Sequence, residues 1–128
     1  MNPRILVVDD NSDIVTLLER RLKAKGYDTV TARNASDALV ILENGRVDIA
    51  ILDVMMPGIS GYDIVKLMKD KFDNPPPIIL YSAVDDVDEK VKGKEARDYT
   101  YVVKTPTGSL LFEAIRTALD SCGRKILS

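Results

Sequence analysis

Histidine is absent from this chain, and cysteine occurs once, at Cys122. Without histidine there is no imidazole general base, no imidazole metal ligand and no phosphohistidine within the chain. A lone cysteine excludes an internal disulfide and suits a reducing, cytoplasmic setting. No charged-then-apolar signal pattern opens the sequence, and no apolar run approaches the roughly 20 residues that span a membrane, so no membrane partner is expected. An excess of one charge is also missing. The 18 basic and 20 acidic residues leave a net charge of −2, which offers no general attraction for nucleic acid. No glycine-rich loop precedes a lysine, which excludes a P-loop nucleotide site. Repeats, low-complexity tracts and linkers are lacking too. The 128 residues fit one domain, assigned to 1–122 with a short, frayed tail at 123–128.

What is present is an apolar pattern that alternates in type. Arg4–Val8 is a short β-branched run, the mark of a strand buried on both faces. Ile14, Leu17, Leu18 and Leu22 then recur at helical spacing up to Gly26, with Asn11 or Ser12 as the cap. Tyr27–Ala32 reads as a second strand. A helix capped by Asn34 and stopped by Gly45 follows. Asp48–Leu52 is a third strand, and Gly61–Phe72 a helix with Ile64, Val65, Leu67 and Met68 inward. Pro75–Pro77 blocks helix and leads into strand Ile78–Tyr81. A poor helix over 86–96, weakened by Gly93, is expected to be the least stable element. Tyr99–Val103 is a fifth strand, and Leu110, Leu111, Ala114, Ile115 and Ala118 mark the last helix. Strands alternating with helices imply an α/β fold, a parallel sheet covered on both faces.

The chemistry collects where the strands end. The first strand closes on Asp9 and Asp10, "IAILD" on Asp53, "IILYS" on Ser82 and "YVVK" on Lys104. In a parallel sheet these ends share one edge, the edge at which open α/β folds bind ligands. Grouped carboxylates repel unless a cation compensates them. Hard oxygen ligands without His or Cys suit Mg²⁺. A metal, the Lys104 ammonium and the Ser82 hydroxyl together are what a phosphoryl group requires, and one carboxylate can be its nucleophile. If the acids repel, Asp10→Asn should raise the metal-free melting temperature.

The set "VVDDN", "ILDVMMPGISGYD", "YSA" and "YVVK" resembles the CheY-like receiver domain of two-component response regulators, from Ile5 to about Leu119. The resemblance implies a flavodoxin-like (βα)5 doubly wound sheet with strand order 2-1-3-4-5. It implies that Asp53 accepts phosphate from a partner histidine kinase or phosphotransfer protein, the domain catalysing its own phosphorylation and dephosphorylation. Mg²⁺ would be ligated by Asp10, Asp53 and the backbone carbonyl of Met55, with Asp9 acting through a metal-bound water. Lys104 would pair with the phosphoryl group. Ser82 would move toward it, and Tyr101 would follow by changing rotamer. The residues themselves mark Asp53 in one further way: "VMMPG" after it is a turn sequence whose backbone amides can face the carboxylate.

No helix-turn-helix follows the last helix, so the expected output is a protein-binding surface read by a downstream protein effector, with no direct nucleic-acid contact. Two departures from the family pattern keep a phosphorylation-independent interaction module as the alternative. The residue after the lysine is normally proline and here is Thr105, with Pro106 next. A Gly-Ala pair often precedes strand five, where Arg97 and Asp98 stand. Thr105 makes a cis bond after Lys104 expensive, so that bond is expected to be trans. Phosphatases of the haloacid-dehalogenase type separate their two acids by one residue, whereas those of "VVDDN" are adjacent.

Overall fold

The computed structural model describes residues 2–56, 58–82, 99–104 and 108–127, with side chains through 120. Its elements are β1 (Arg4–Val8), α1 (Ser12–Ala24), β2 (Asp28–Ala32), α2 (Ala35–Asn44), β3 (Ile49–Asp53), α3 (Gly61–Lys71), β4 (Ile78–Ser82), β5 (Thr100–Val103) and α4 (Ser109–Leu127). The strands form one parallel sheet in the order β2-β1-β3-β4-β5, which is the flavodoxin-like arrangement expected. The weak helix at 86–96, Arg97, Asp98 and the Lys104–Thr105 bond all lie outside the described residues.

Strand alternation divides the core in two. Ile5, Val7, Ile51 and Tyr81 face α1 and α4, where Leu18, Leu22, Leu111 and Ile115 meet them. Leu6, Val8, Leu52 and Leu80 face the other way, against Ala38 of α2 and Ile64, Val65 and Met68 of α3. β3 is buried along its whole length, as a central parallel strand covered on both faces must be.

Local signals set the helix ends. The Asn11 side chain accepts from the N–H groups of Asp13 and Ile14 and starts α1, and Asn34 does the same for α2 through Asp37. α3 opens on a capping box between Ser60 and Asp63. Gly45 ends α2 as expected, in an extended conformation. Glycine suits the position because a Cβ there would lie 3.2 Å from the Arg4 guanidinium. Leu67, expected inward, is exposed, and so are Leu17 and Leu110. Each sits at the margin of its apolar stripe, and only the stripe's centre reaches the sheet. The backbone of α4 remains helical to Leu127, through most of the stretch read as a frayed tail. No helix among the described residues is long and apolar enough to cross a membrane.

Candidate functional site

Register explains why the acids meet. Val8 lies opposite Leu52, so the next residues, Asp9 and Asp53, leave the sheet side by side on the α1–α4 face. Carboxylate oxygens of Asp9, Asp10 and Asp53 all lie within 4.8 Å of one another. Asp9 and Asp53 are only 2% and 7% exposed, while Asp10 is half-buried. Two backbone amides point at the buried pair. The Asn11 N–H donates to Asp9 Oδ1 at 3.0 Å, and the Met55 N–H donates to Asp53 Oδ1 at 3.3 Å. The second of these is the amide expected from the turn after Asp53.

Lys104 supplies the cation. Its Nζ lies 3.5 Å from Asp53 Oδ1 and 3.7 Å from Asp9 Oδ2. Among the described residues Lys104 pairs with Asp9 and Asp53, and the buried Asp9 carboxylate resists ionisation. Burial, above all, lifts its pKa from 3.8 to about 6, and the neighbouring Asp53 charge adds to the rise. The Asn11 N–H and Lys104 pull the other way without cancelling it. Neither nitrogen nor sulfur is among the donors, so the set fits a hard divalent cation such as Mg²⁺.

Two further features frame the acids. Arg33 donates from Nη2 to the carbonyl of Asp10 at 3.1 Å, tying the β2–α2 loop to the β1–α1 loop. Gly61 opens α3 hard against β3, with its N–H bonded to the Val54 carbonyl at 3.1 Å. A Cβ at Gly61 would stand 2.6 Å from the Asp53 carbonyl oxygen.

The expected switch residues sit on the opposite face. Ser82 ends β4 fully buried, with the parity of Leu80, and its carbonyl accepts the Lys104 backbone N–H. Tyr101 lies opposite Leu80 and is half-buried against the α2–α3 core. Asp9, Asp10, Asp53 and Lys104 are thus gathered directly, while Ser82 and Tyr101 share a face one and two strands away from Asp53. The side chain of Met55 is 64% exposed, so any role in the site belongs to its backbone. Sequence reasoning passed over Tyr81, whose ring centroid is 5.3 Å from Lys104 Nζ. Aligning the ends of the two strands would have set Ser82 opposite Asp53, whereas the register pairs Asp53 with Tyr81.

Comparison with known proteins agrees with this arrangement. The family model of the response regulator receiver domain matches residues 5–116. The transcriptional regulatory protein PrrA of Mycobacterium tuberculosis is 39% identical over 103 residues, which cover 80% of this chain and 44% of that protein. The alkaline phosphatase synthesis transcriptional regulatory protein PhoP of Bacillus subtilis is 38% identical over 107 residues, 81% of this chain and 43% of that one. The chain therefore spans less than half the length of these relatives. Among solved structures, response regulator TrrA of Thermotoga maritima in complex with Mg²⁺-BeF aligns with a TM-score of 0.78 at 34% identity, over 91% of this chain and 98% of that one. TrrA has also been solved in complex with the histidine kinase ThkA. The family match runs from within β1 into α4 and reaches all five strands, and the chain therefore belongs to the response regulator receiver domain family.

Proposed function

We propose that this receiver is a phosphoacceptor switch. Asp53 takes a phosphoryl group from a histidine kinase or phosphotransfer protein, and a downstream protein effector reads the changed surface. The observation that carries this reading is the Lys104 ammonium 3.5 Å from a buried carboxylate at the end of the central strand. Asp10, Asp53 and the Met55 carbonyl would hold Mg²⁺, with Asp9 acting through water. When bound, the metal neutralises charge on the phosphoryl oxygens.

The chain's own residues do the rest. A carboxylate oxygen of Asp53 attacks phosphorus, and the P–N bond of the donor phosphohistidine breaks. Its electron pair returns to the imidazole nitrogen, which takes a proton from solvent. Near-complete burial strips water from Asp53, and the Met55 N–H orients it. Lys104 meets the charge that builds on the phosphoryl oxygens. Ser82 then offers its hydroxyl from the neighbouring strand end, and Tyr101, on the same face of the sheet, follows it.

Acetyl phosphate with Mg²⁺ should add the mass of one phosphoryl group to the wild type and nothing to Asp53→Asn. A wild type that gains no mass returns the domain to a phosphorylation-independent interaction module. Asp10→Ala removes a direct ligand and leaves the acceptor in place. Calorimetric titration should show its Mg²⁺ affinity falling by roughly tenfold or more, and an unchanged titration would remove Asp10 from the ligand set.

A further inference from the structure

Lys104 has to cross a strand to reach the acids. β5 lies two places from β3, with β4 between them, a span of roughly 10 Å at the usual strand spacing. The residue of β4 opposite Asp53 is Tyr81. Tyr81 in turn lies opposite Val102, two residues before Lys104. Alternation turns Asp53, Tyr81 and Lys104 to one face, so the lysine stem passes over the tyrosine.

The ammonium comes to rest 5.3 Å from the Tyr81 ring centroid, within range of attraction between a cation and an aromatic face. Its carboxylate distances, 3.5 and 3.7 Å, are longer than those of a close charge-assisted hydrogen bond. The acids therefore attract the ammonium without clamping it, and the ring adds a further attraction. Tyr81 is itself held fast, 5% exposed within the α1–α4 core. Burial raises the pKa of its phenol by more than nearby Arg21 lowers it, so at neutral pH the ring is uncharged.

We infer that Tyr81 is a positioning residue for Lys104, its ring face keeping the ammonium between Asp9 and Asp53 until the phosphoryl group arrives. This rests on the phosphoacceptor role proposed for Asp53. A rival reading makes Tyr81 plain core filler. The two diverge when the ring is removed and the volume roughly kept.

Tyr81→Leu and Tyr81→Met are the ringless variants, Met being the more adaptable to the site. Tyr81→Phe keeps the ring. In the unphosphorylated protein, the Lys104 Cε protons should resonate upfield of the other lysines in the wild type and in Tyr81→Phe, and lose that displacement in the ringless variants. Phosphorylation by acetyl phosphate at saturating Mg²⁺ should slow about fivefold without the ring, equivalent to about 1 kcal/mol, and Phe should restore it. Mg²⁺ affinity should stay equal or rise in the ringless variants, because the ammonium is no longer pinned against the metal's ligands. General damage to the site would lower rate and affinity together, and that outcome, or a Lys104 resonance indifferent to the ring, overturns the inference. If the wild type takes up no phosphate, the phosphoacceptor reading falls. The Lys104 resonance then decides alone whether Tyr81 positions the ammonium.

Discussion

Gly61→Ala is expected to destabilise the protein by about 3 kcal/mol, at the upper end of the usual cost of overpacking. A Cβ at this position would stand 2.6 Å from the Asp53 carbonyl oxygen, 3.1 Å from its carbonyl carbon and 3.0 Å from a methyl of Leu80. Two of these three atoms are backbone, and Leu80 is fully buried, so nothing soft can move aside. Either α3 tilts off the sheet, breaking the bond from the Gly61 N–H to the Val54 carbonyl, or β3 shifts at Asp53. Both routes disturb Asp53, the proposed acceptor. The loss should lower the thermal midpoint by roughly 10 °C, and phosphorylation of whatever remains folded should be slower. Ser60→Ala is the control one residue away. It removes half of the capping box and should cost about 1 kcal/mol, without displacing Asp53. Thermal melts in which Gly61→Ala is no worse than Ser60→Ala would show that the close approach of α3 and β3 is not what demands glycine.

How much of this could be read from residue order depends on whether the information was local. Each strand carries its own signature in a β-branched run, and the caps at Asn11 and Asn34 are side chains acting within a turn. Those elements were legible, and so were the strand-end acids, because a parallel sheet brings such ends to one edge whatever the details. Leu67 was misread because helical periodicity fixes a stripe but not which margin of the stripe overhangs the sheet. Gly45 was legible as the stop of α2, but not the side chain of Arg4, distant in sequence, that a Cβ there would meet. Tyr81 was passed over because its importance lies in register across β3, β4 and β5, which no single stretch displays.

Register also breaks the apparent equivalence of Asp9 and Asp10. Adjacent in sequence, they look alike as repelling acids, and neutralising Asp10 seemed enough to relieve the cluster. The pairing of Val8 with Leu52 sends Asp9 into the sheet edge beside Asp53, where it is 2% exposed, and leaves Asp10 half-buried. The cost of ionisation therefore falls on Asp9, through burial first and the Asp53 charge second.

In the presence of a chelator, the protein is expected to lose stability as pH rises from about 4 to about 6, by about 3 kcal/mol for a shift of some two pKa units. The folded chain keeps the Asp9 proton up to about pH 6, whereas its ordinary value is 3.8. Between these values the folded state binds more protons than the unfolded state, so the unfolding free energy falls with rising pH. Above about pH 6 both states are ionised at Asp9, and this residue adds no further slope. The absence of histidine leaves the window free of the side chain that usually titrates there. Asp9→Asn should flatten the slope and raise metal-free stability at pH 7 by about 2–3 kcal/mol, the reverse of the usual sign for a point change. Asparagine Oδ1 can still accept the Asn11 N–H that Asp9 receives at 3.0 Å, so the start of α1 need not suffer. Asp10→Asn should give a smaller gain, because its carboxylate keeps more water. Saturating Mg²⁺ should stabilise the wild type at pH 7 more than it stabilises Asp9→Asn, since the charge that burdens the empty fold is the charge that attracts the cation. Urea titrations from pH 4.5 to 7.5, with and without Mg²⁺, read all four effects. A chelated wild type whose stability is level across that range, or an Asp9→Asn variant that melts earlier, would mean that Asp9 serves the fold as an acceptor for α1 and not as a charge held in reserve for a metal.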